Sequence, residues 1–237
     1  MKLNRQYQSL SLVLITSLLF FTQASFALPP AFQADYSVSK GRLHLGNLHA
    51  SLTYSGNQYS YQKNTRATGL AALLTGIKIT ENTNGKISGE SLKPDTYLFN
   101  QSRRNKSRID KVKFTGNKAV GSYKGRPYQL SITPGTHDRA SLELVLARDL
   151  SHNKKNLQYP VVTRGEKTQY NFQILGQEKV NTPAGTFNTT KVKVKRSGNK
   201  RDTTFWMAKE LGYIPVKIRH REKGDTITSV IKNYKKL

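Results

Sequence analysis

Lys191-Val192-Lys193-Val194-Lys195 alternates cation and valine at every step. A second stretch, Pro215-Val216-Lys217-Ile218-Arg219-His220-Arg221, sets Val216 and Ile218 against Lys217, Arg219 and Arg221. A β-strand sends successive side chains to opposite faces, so this period of two predicts strands with one apolar and one cationic face. If the two strands are neighbours, six cations share one solvated sheet face. Each directly opposed pair then costs stability unless solvent screening or an anionic partner relieves it.

The same rhythm extends outward along the chain. Gly41, Gly46-Asn47, Gly56-Asn57, Asn84-Gly85, Gly116-Asn117, Gly125, Gly185, Gly198-Asn199 and Gly224-Asp225 punctuate short segments rich in Val, Ile, Thr and Tyr. Such spacing predicts antiparallel strands joined by tight turns. Two segments break the pattern. Gly69-Leu70-Ala71-Ala72-Leu73-Leu74-Thr75-Gly76 reads as one or two helical turns or a tight apolar loop. Residues 138–150 read as an amphipathic helix opened by Thr136 or Asp138, with Leu142, Val145, Leu146 and Leu150 inward and Arg139, Glu143 and Arg148 on a wet side. Residues 151–158 form a polar loop before another strand at 159–163. The expected fold is mainly β: a single antiparallel curved sheet, or an open barrel-like domain, with one amphipathic helix packed on it. Residues 28–237 are read as one domain, because either half alone would leave an open sheet with an uncovered face.

The first 27 residues carry a different message. Lys2 and Arg5 precede a largely apolar run from Leu10 to Phe21, and the small residues Ser25 and Ala27 stand before Leu28-Pro29-Pro30. This is the layout of a cleavable secretory signal peptide with the cut after Ala27, and its apolar run is short for a membrane span. The expected address is the bacterial periplasm. The chain has 39 Lys and Arg against 14 Asp and Glu. An exported chain of that charge is expected to meet anionic lipid, lipopolysaccharide or peptidoglycan rather than nucleic acid, although excess surface lysine also serves solubility alone. With no cysteine in the chain, disulfides, thiolate metal sites, thiol catalysis and lipid attachment through cysteine are excluded.

Chemistry-bearing motifs are sparse. His44, His49, His137, His152 and His220 have no ligand spacing, so no metal and no cofactor are expected. The Gly-x-Ser-x-Gly nucleophile turn is absent, and Ser88-Gly89 reads as a turn after a strand. The few acids, among them Asp138, Asp149, Glu178 and Asp202, fall at turn, cap or helix positions, so no catalytic residue is assigned and no enzyme is expected. Trp206, the sole tryptophan, reads as a core anchor. Candidate anion-facing residues are Arg103, Arg104, Lys106 and Arg108, together with Lys191, Lys193, Lys195, Lys217, Arg219 and Arg221. Leu70, Leu73 and Leu74 are candidates to line or gate an apolar groove, or else to plug the core.

Several strings taken together resemble an exported bacterial family, the domain-of-unknown-function family 3108. They are Thr68-Gly69-Leu70 with the apolar stretch after it, Pro94 with Tyr97, Asp138 at the helix start, Glu178 with Thr182-Pro183-Ala184-Gly185-Thr186, then Trp206 and Pro215-Val216. Where that family has a tryptophan or acid after the phenylalanine matching Phe114, this chain has Thr115. The resemblance implies a curved antiparallel β architecture in the periplasm and supplies no catalytic residues. The expected function is a non-enzymatic periplasmic binding or carrier protein for an anionic or amphipathic envelope component. The alternative is an interaction protein docking a basic sheet face on peptidoglycan or another protein. A glycan hydrolase, which would need two carboxylates facing each other in a cleft, is the third reading.

Overall fold

The alternation carries through to a single sheet. A computed structural model describes residues 28–104, 106–195 and 201–237. The signal segment and the Gly198-Asn199 turn lie outside the described residues. The elements are β1 (Phe32–Lys40), β2 (Leu43–Ser55), β3 (Gln58–Ala67), α1 (Gly69–Thr75), β4 (Lys78–Ser88), β5 (Ser91–Arg103), β6 (Lys106–Thr115), β7 (Lys118–Tyr123), β8 (Arg126–Ser131), α2 (Arg139–Ser151), β9 (Leu157–Thr163), β10 (Glu166–Thr182), β11 (Gly185–Lys195), β12 (Arg201–Ala208), β13 (Ile214–Glu222) and β14 (Asp225–Lys236). All fourteen strands pair antiparallel in the order β8-β7-β6-β5-β4-β3-β2-β1-β14-β13-β12-β11-β10-β9. Each strand therefore pairs with its neighbours in sequence except at β8 and β9, and β1 meets β14 in the middle of the sheet. The connections are short hairpins, with α1 inserted between β3 and β4 and α2 between β8 and β9, the two edges.

The ladder does not close. Its edges are stitched by other means. The segment before α2 runs parallel to β9, with His137 N–H donating to Pro160 O at 2.9 Å and Val162 N–H donating to His137 O at 2.9 Å. The Arg164 N–H donates to the Asp110 carboxylate at 2.6 Å. A Cβ on Gly165 would lie 3.1 Å from the Tyr128 ring, so β8 and the β9–β10 turn touch side chain to backbone. The sheet thus curls into an open barrel.

Two glycine signals mark something other than turns. Gly46 lies inside β2 and Gly85 inside β4, each beside a register shift. A Cβ at Gly46 would sit 2.1 Å from Arg66 O, and at Gly85 2.2 Å from Lys93 O. Both are bulge sites where the neighbouring backbone comes too close for a side chain, which is the other use of glycine in a strand.

Helix α2 fills the concave side. Asp138 caps it, accepting from Ala140 N–H at 2.8 Å and Ser141 N–H at 2.9 Å. Leu142, Leu144, Val145, Leu146 and Leu150 are all buried among Tyr59, Tyr61, Tyr97, Val161, Val216 and Ile231. Leu144 as well as Leu142 and Leu146 is inside, and Ser141 and Asp149 are buried too, so the helix is enclosed nearly all round and its polar residues must find partners within the fold. The expected wet side is corrected accordingly. Glu143 and Arg139 turn toward the sheet and enter a buried network there.

Candidate functional site

That network is the first constellation. Alternation along β3 and β4 turns Tyr61, Lys63, Glu81 and Thr83 inward toward α2. Lys63 Nζ lies 2.9 Å from Glu81 and 2.6 Å from Glu143. The Tyr97 hydroxyl donates to Glu81 at 2.8 Å and the Tyr61 hydroxyl to Glu143 at 3.1 Å. Burial alone would raise the Glu81 carboxyl, but the charges of Lys63 and Arg139 prevail and hold it at about 2. Two carboxylates do face each other here, as glycoside cleavage would need. However, Lys63 bridges them, and a carboxyl at about 2 is an ineffective proton donor at neutral pH. Two cations and two anions balance, and every charged head has a partner, which is the only form in which buried charge is tolerated.

The second constellation is on the convex face. Sequence alternation turns Val192, Val194, Val216 and Ile218 toward the core, so Lys191, Lys193, Lys217 and Arg219 point outward. The two strands are not neighbours: β12 lies between β11 and β13. Register aligns Lys191 with Trp206 and Lys217, then Lys193 with Thr204 and Arg219. Asp202 pairs with Arg221 in the following row. Two strand spacings put about 10 Å between the cation columns. That is comparable to the Debye length of about 8 Å at physiological salt, so their repulsion is largely screened.

The intervening strand supplies what the sequence reading lacked. Trp206 lies on the cation-bearing side of β12, yet it is only 2% exposed and belongs to the buried hydrophobic cluster, as its reading as a core anchor expects. Its indole lies under Lys217 Nζ at 4.6 Å, Lys191 Nζ at 5.1 Å and Arg219 Cζ at 5.6 Å from the ring centroid. An aromatic face carries negative potential, so it attracts all three cations. Alternation in Arg201-Asp202-Thr203-Thr204-Phe205-Trp206-Met207-Ala208 puts one large aromatic on each face, so the strand's own sequence gave no preference. Asp202 takes Arg221 at 2.5 Å and Lys193 at 3.8 Å. Lys191 lies 2.7 Å from Glu178, and this contact holds the Glu178 carboxyl below its usual range. The Lys217 charge acts on Glu178 as well, whereas among the described residues Lys195 and Arg219 have no carboxylate partner.

The remaining candidates lie elsewhere. Arg103, Arg104 and Lys106 are exposed at the β5–β6 turn, while Arg108 is half-buried against Phe99, 5.3 Å from its ring. They therefore form a separate basic group. Leu70, Leu73 and Leu74 sit on α1 and are 70%, 76% and 67% exposed, so they plug no core. Among the described residues, His, Asp and Glu form no cluster of three or more able to hold a metal ion. His137 is buried and pushed down to about 4, His49 faces Asp35 at 2.8 Å, and His220 faces Thr203 at 2.8 Å. A shallow concavity of about 500 Å³ lies over β4–β7, lined by Leu98, Val120, Lys111 and Lys113 among others.

The family described as "Protein of unknown function (DUF3108)" matches residues 34–232. The chain belongs to this family. The DUF3108 match takes in both helices, β2 to β13 whole, and most of β1 and β14. Its fold is similar to that of a beta-barrel-like protein of domain of unknown function DUF1849 from Brucella abortus, at 10% identity and TM-score 0.61, covering 88% of this chain and 98% of that one. A candidate lipoprotein from Parabacteroides distasonis ATCC 8503 aligns over the same shares at 10% identity and TM-score 0.35. No curated protein matches this DUF3108 chain. Among the described residues, no helix is long and apolar enough to cross a membrane.

Proposed function

We propose that this DUF3108 protein is a non-catalytic component of the bacterial envelope that docks its convex basic face on an anionic polymer, with peptidoglycan carboxylates as the partner. The observation that carries the reading is the ordered set of cations around Trp206. Lys191, Lys217 and Arg219 lie against one ring, and Arg219 remains without a carboxylate partner among the described residues. A merely solvating lysine surface has no need of a shared aromatic support. The signal layout of residues 1–27 supports the address, and the net charge of +25 supports an anionic partner. An apolar cargo carried within the sheet is less well supported, because α2 takes up the concave side.

Cosedimentation with purified peptidoglycan sacculi tests the proposal. Changing Lys191, Lys193, Lys195, Lys217, Arg219 and Arg221 together to Gln should weaken it. At about 0.2–1 kcal/mol per exposed contact, six contacts give a loss of about tenfold or more. Added salt should weaken wild-type binding in the same way. Binding unchanged by both interventions would reduce the face to a solvating surface.

A further inference from the structure

Helix α1 holds three leucines in water at one end of the barrel. Leu70, Leu73 and Leu74 follow i, i+3, i+4 spacing, which gathers them on one helix face. No residue of α1 is buried. The exposure belongs to a tethered element. Ala67 N–H donates to Ile77 O at 3.0 Å, closing the neck, and Thr68 N–H donates to Leu45 O at 3.0 Å. The Arg104 guanidinium donates to Leu73 O at 3.3 Å. Leu43, 57% exposed, lies at the same end of the sheet, two residues from Leu45.

Cations surround this projection. Arg42, Arg66, Lys78, Arg103, Arg104 and Lys106 are all exposed, and none forms an ion pair among the described residues. No Asp or Glu occurs in residues 40–49, 63–80 or 101–109, the segments that build this end. Across β1, at the start of β14, Asp225 is already taken by Lys40 at 2.6 Å. We infer that α1 is an interfacial anchor that inserts its leucines into an anionic phospholipid bilayer while the ring of Arg and Lys contacts the headgroups. A short apolar projection rimmed by cations fits a lipid surface: apolar burial supplies part of the binding, and attraction to anionic headgroups the rest. This surface is separate from the face around Trp206, with β2, β1 and β14 between β3 and β13.

The test is flotation with vesicles of phosphatidylethanolamine and phosphatidylglycerol, compared with phosphatidylcholine alone. The protein is taken from the soluble fraction of an expressing bacterium, and its N-terminus is read by mass spectrometry. Wild type should float with the anionic vesicles and bind phosphatidylcholine weakly. Leu70→Ser, Leu73→Ser and Leu74→Ser together should cut binding by about a hundredfold or more, with the far-UV spectrum and sacculus binding unchanged. Arg66→Gln, Arg103→Gln and Arg104→Gln together should remove the preference for phosphatidylglycerol. Equal flotation of wild type and the leucine variant would overturn the inference. So would a wild-type dimer that ignores vesicles and dissociates on the leucine changes, since the leucines would then cover a second copy.

Discussion

At the scale of single residues, His137 and Asp138 lie next to each other before α2, and burial shifts them in opposite senses. Burial pushes His137 down to about 4 and Asp138 up to about 6, the latter despite N–H donors from Ala140 and Ser141. The signs follow from proton uptake. As pH falls from about 6.5 to 4, the unfolded chain gains a proton at His137 that the folded chain refuses, so stability is lost. As pH falls from about 6 to 3.8, the folded chain gains a proton at Asp138 before the unfolded chain does, so stability is recovered. The two contributions oppose each other in mildly acid solution. Urea denaturation across that range should show His137→Leu losing less stability than wild type and Asp138→Asn losing more. Identical slopes for all three proteins would contradict the assignment. Lys63 gives a larger effect. Lys63→Met strands Glu81 and Glu143 together in the interior and should cost about 3–5 kcal/mol in the same measurement, the range for breaking a buried pair. A loss below about 1 kcal/mol would mean that water reaches the network.

At the scale of elements, the two helices invert the usual roles. The longer one is enclosed and the shorter one is displayed. Leu146 is 1% exposed and Leu73 is 76% exposed. Leu146→Ala should therefore cost about 2–5 kcal/mol, whereas Leu73→Ala should stay within about 0.5 kcal/mol of wild type. Thermal melts of the two variants check the contrast, and comparable losses would refute it. The strands were legible because Lys191–Lys195 and Pro215–Arg221 repeat with a period of two that only a pleated sheet satisfies. Helix α2 was legible from Asp138 and its leucines, to within a residue at each end. Its surroundings were not, because Arg139 and Glu143 look like solvated residues until Lys63 and Glu81, distant in sequence, are seen to meet them. Gly46 and Gly85 were misread as turns for a related reason. A bulge and a turn both favour glycine, and the distinction lies in the partner strand.

At the scale of the whole molecule, strand order is what the sequence left open. The two cation-bearing strands were identified from local pattern, but nothing local specified that β12 would separate them. That one placement converts six mutually repelling charges into columns flanking Trp206 and Asp202. It also places the sole tryptophan, buried as expected, beneath the cations of the convex face. The barrel displays two chemically distinct surfaces, a leucine-tipped end between β3 and β4 and a cation-lined face over β11–β13, with α2 consolidating the interior between them. The cations around Trp206 are proposed to receive an anionic polymer. Because this ring is the only indole in the chain, its fluorescence reports on that face alone. The decisive measurement is Trp206 emission during titration with soluble poly-glutamate, a carboxylate polymer. Binding at this face should give a saturable change that weakens with added salt and is lost when Lys217→Gln and Arg219→Gln are combined. Emission that stays constant while the protein still binds sacculi would place the contact elsewhere and contradict it.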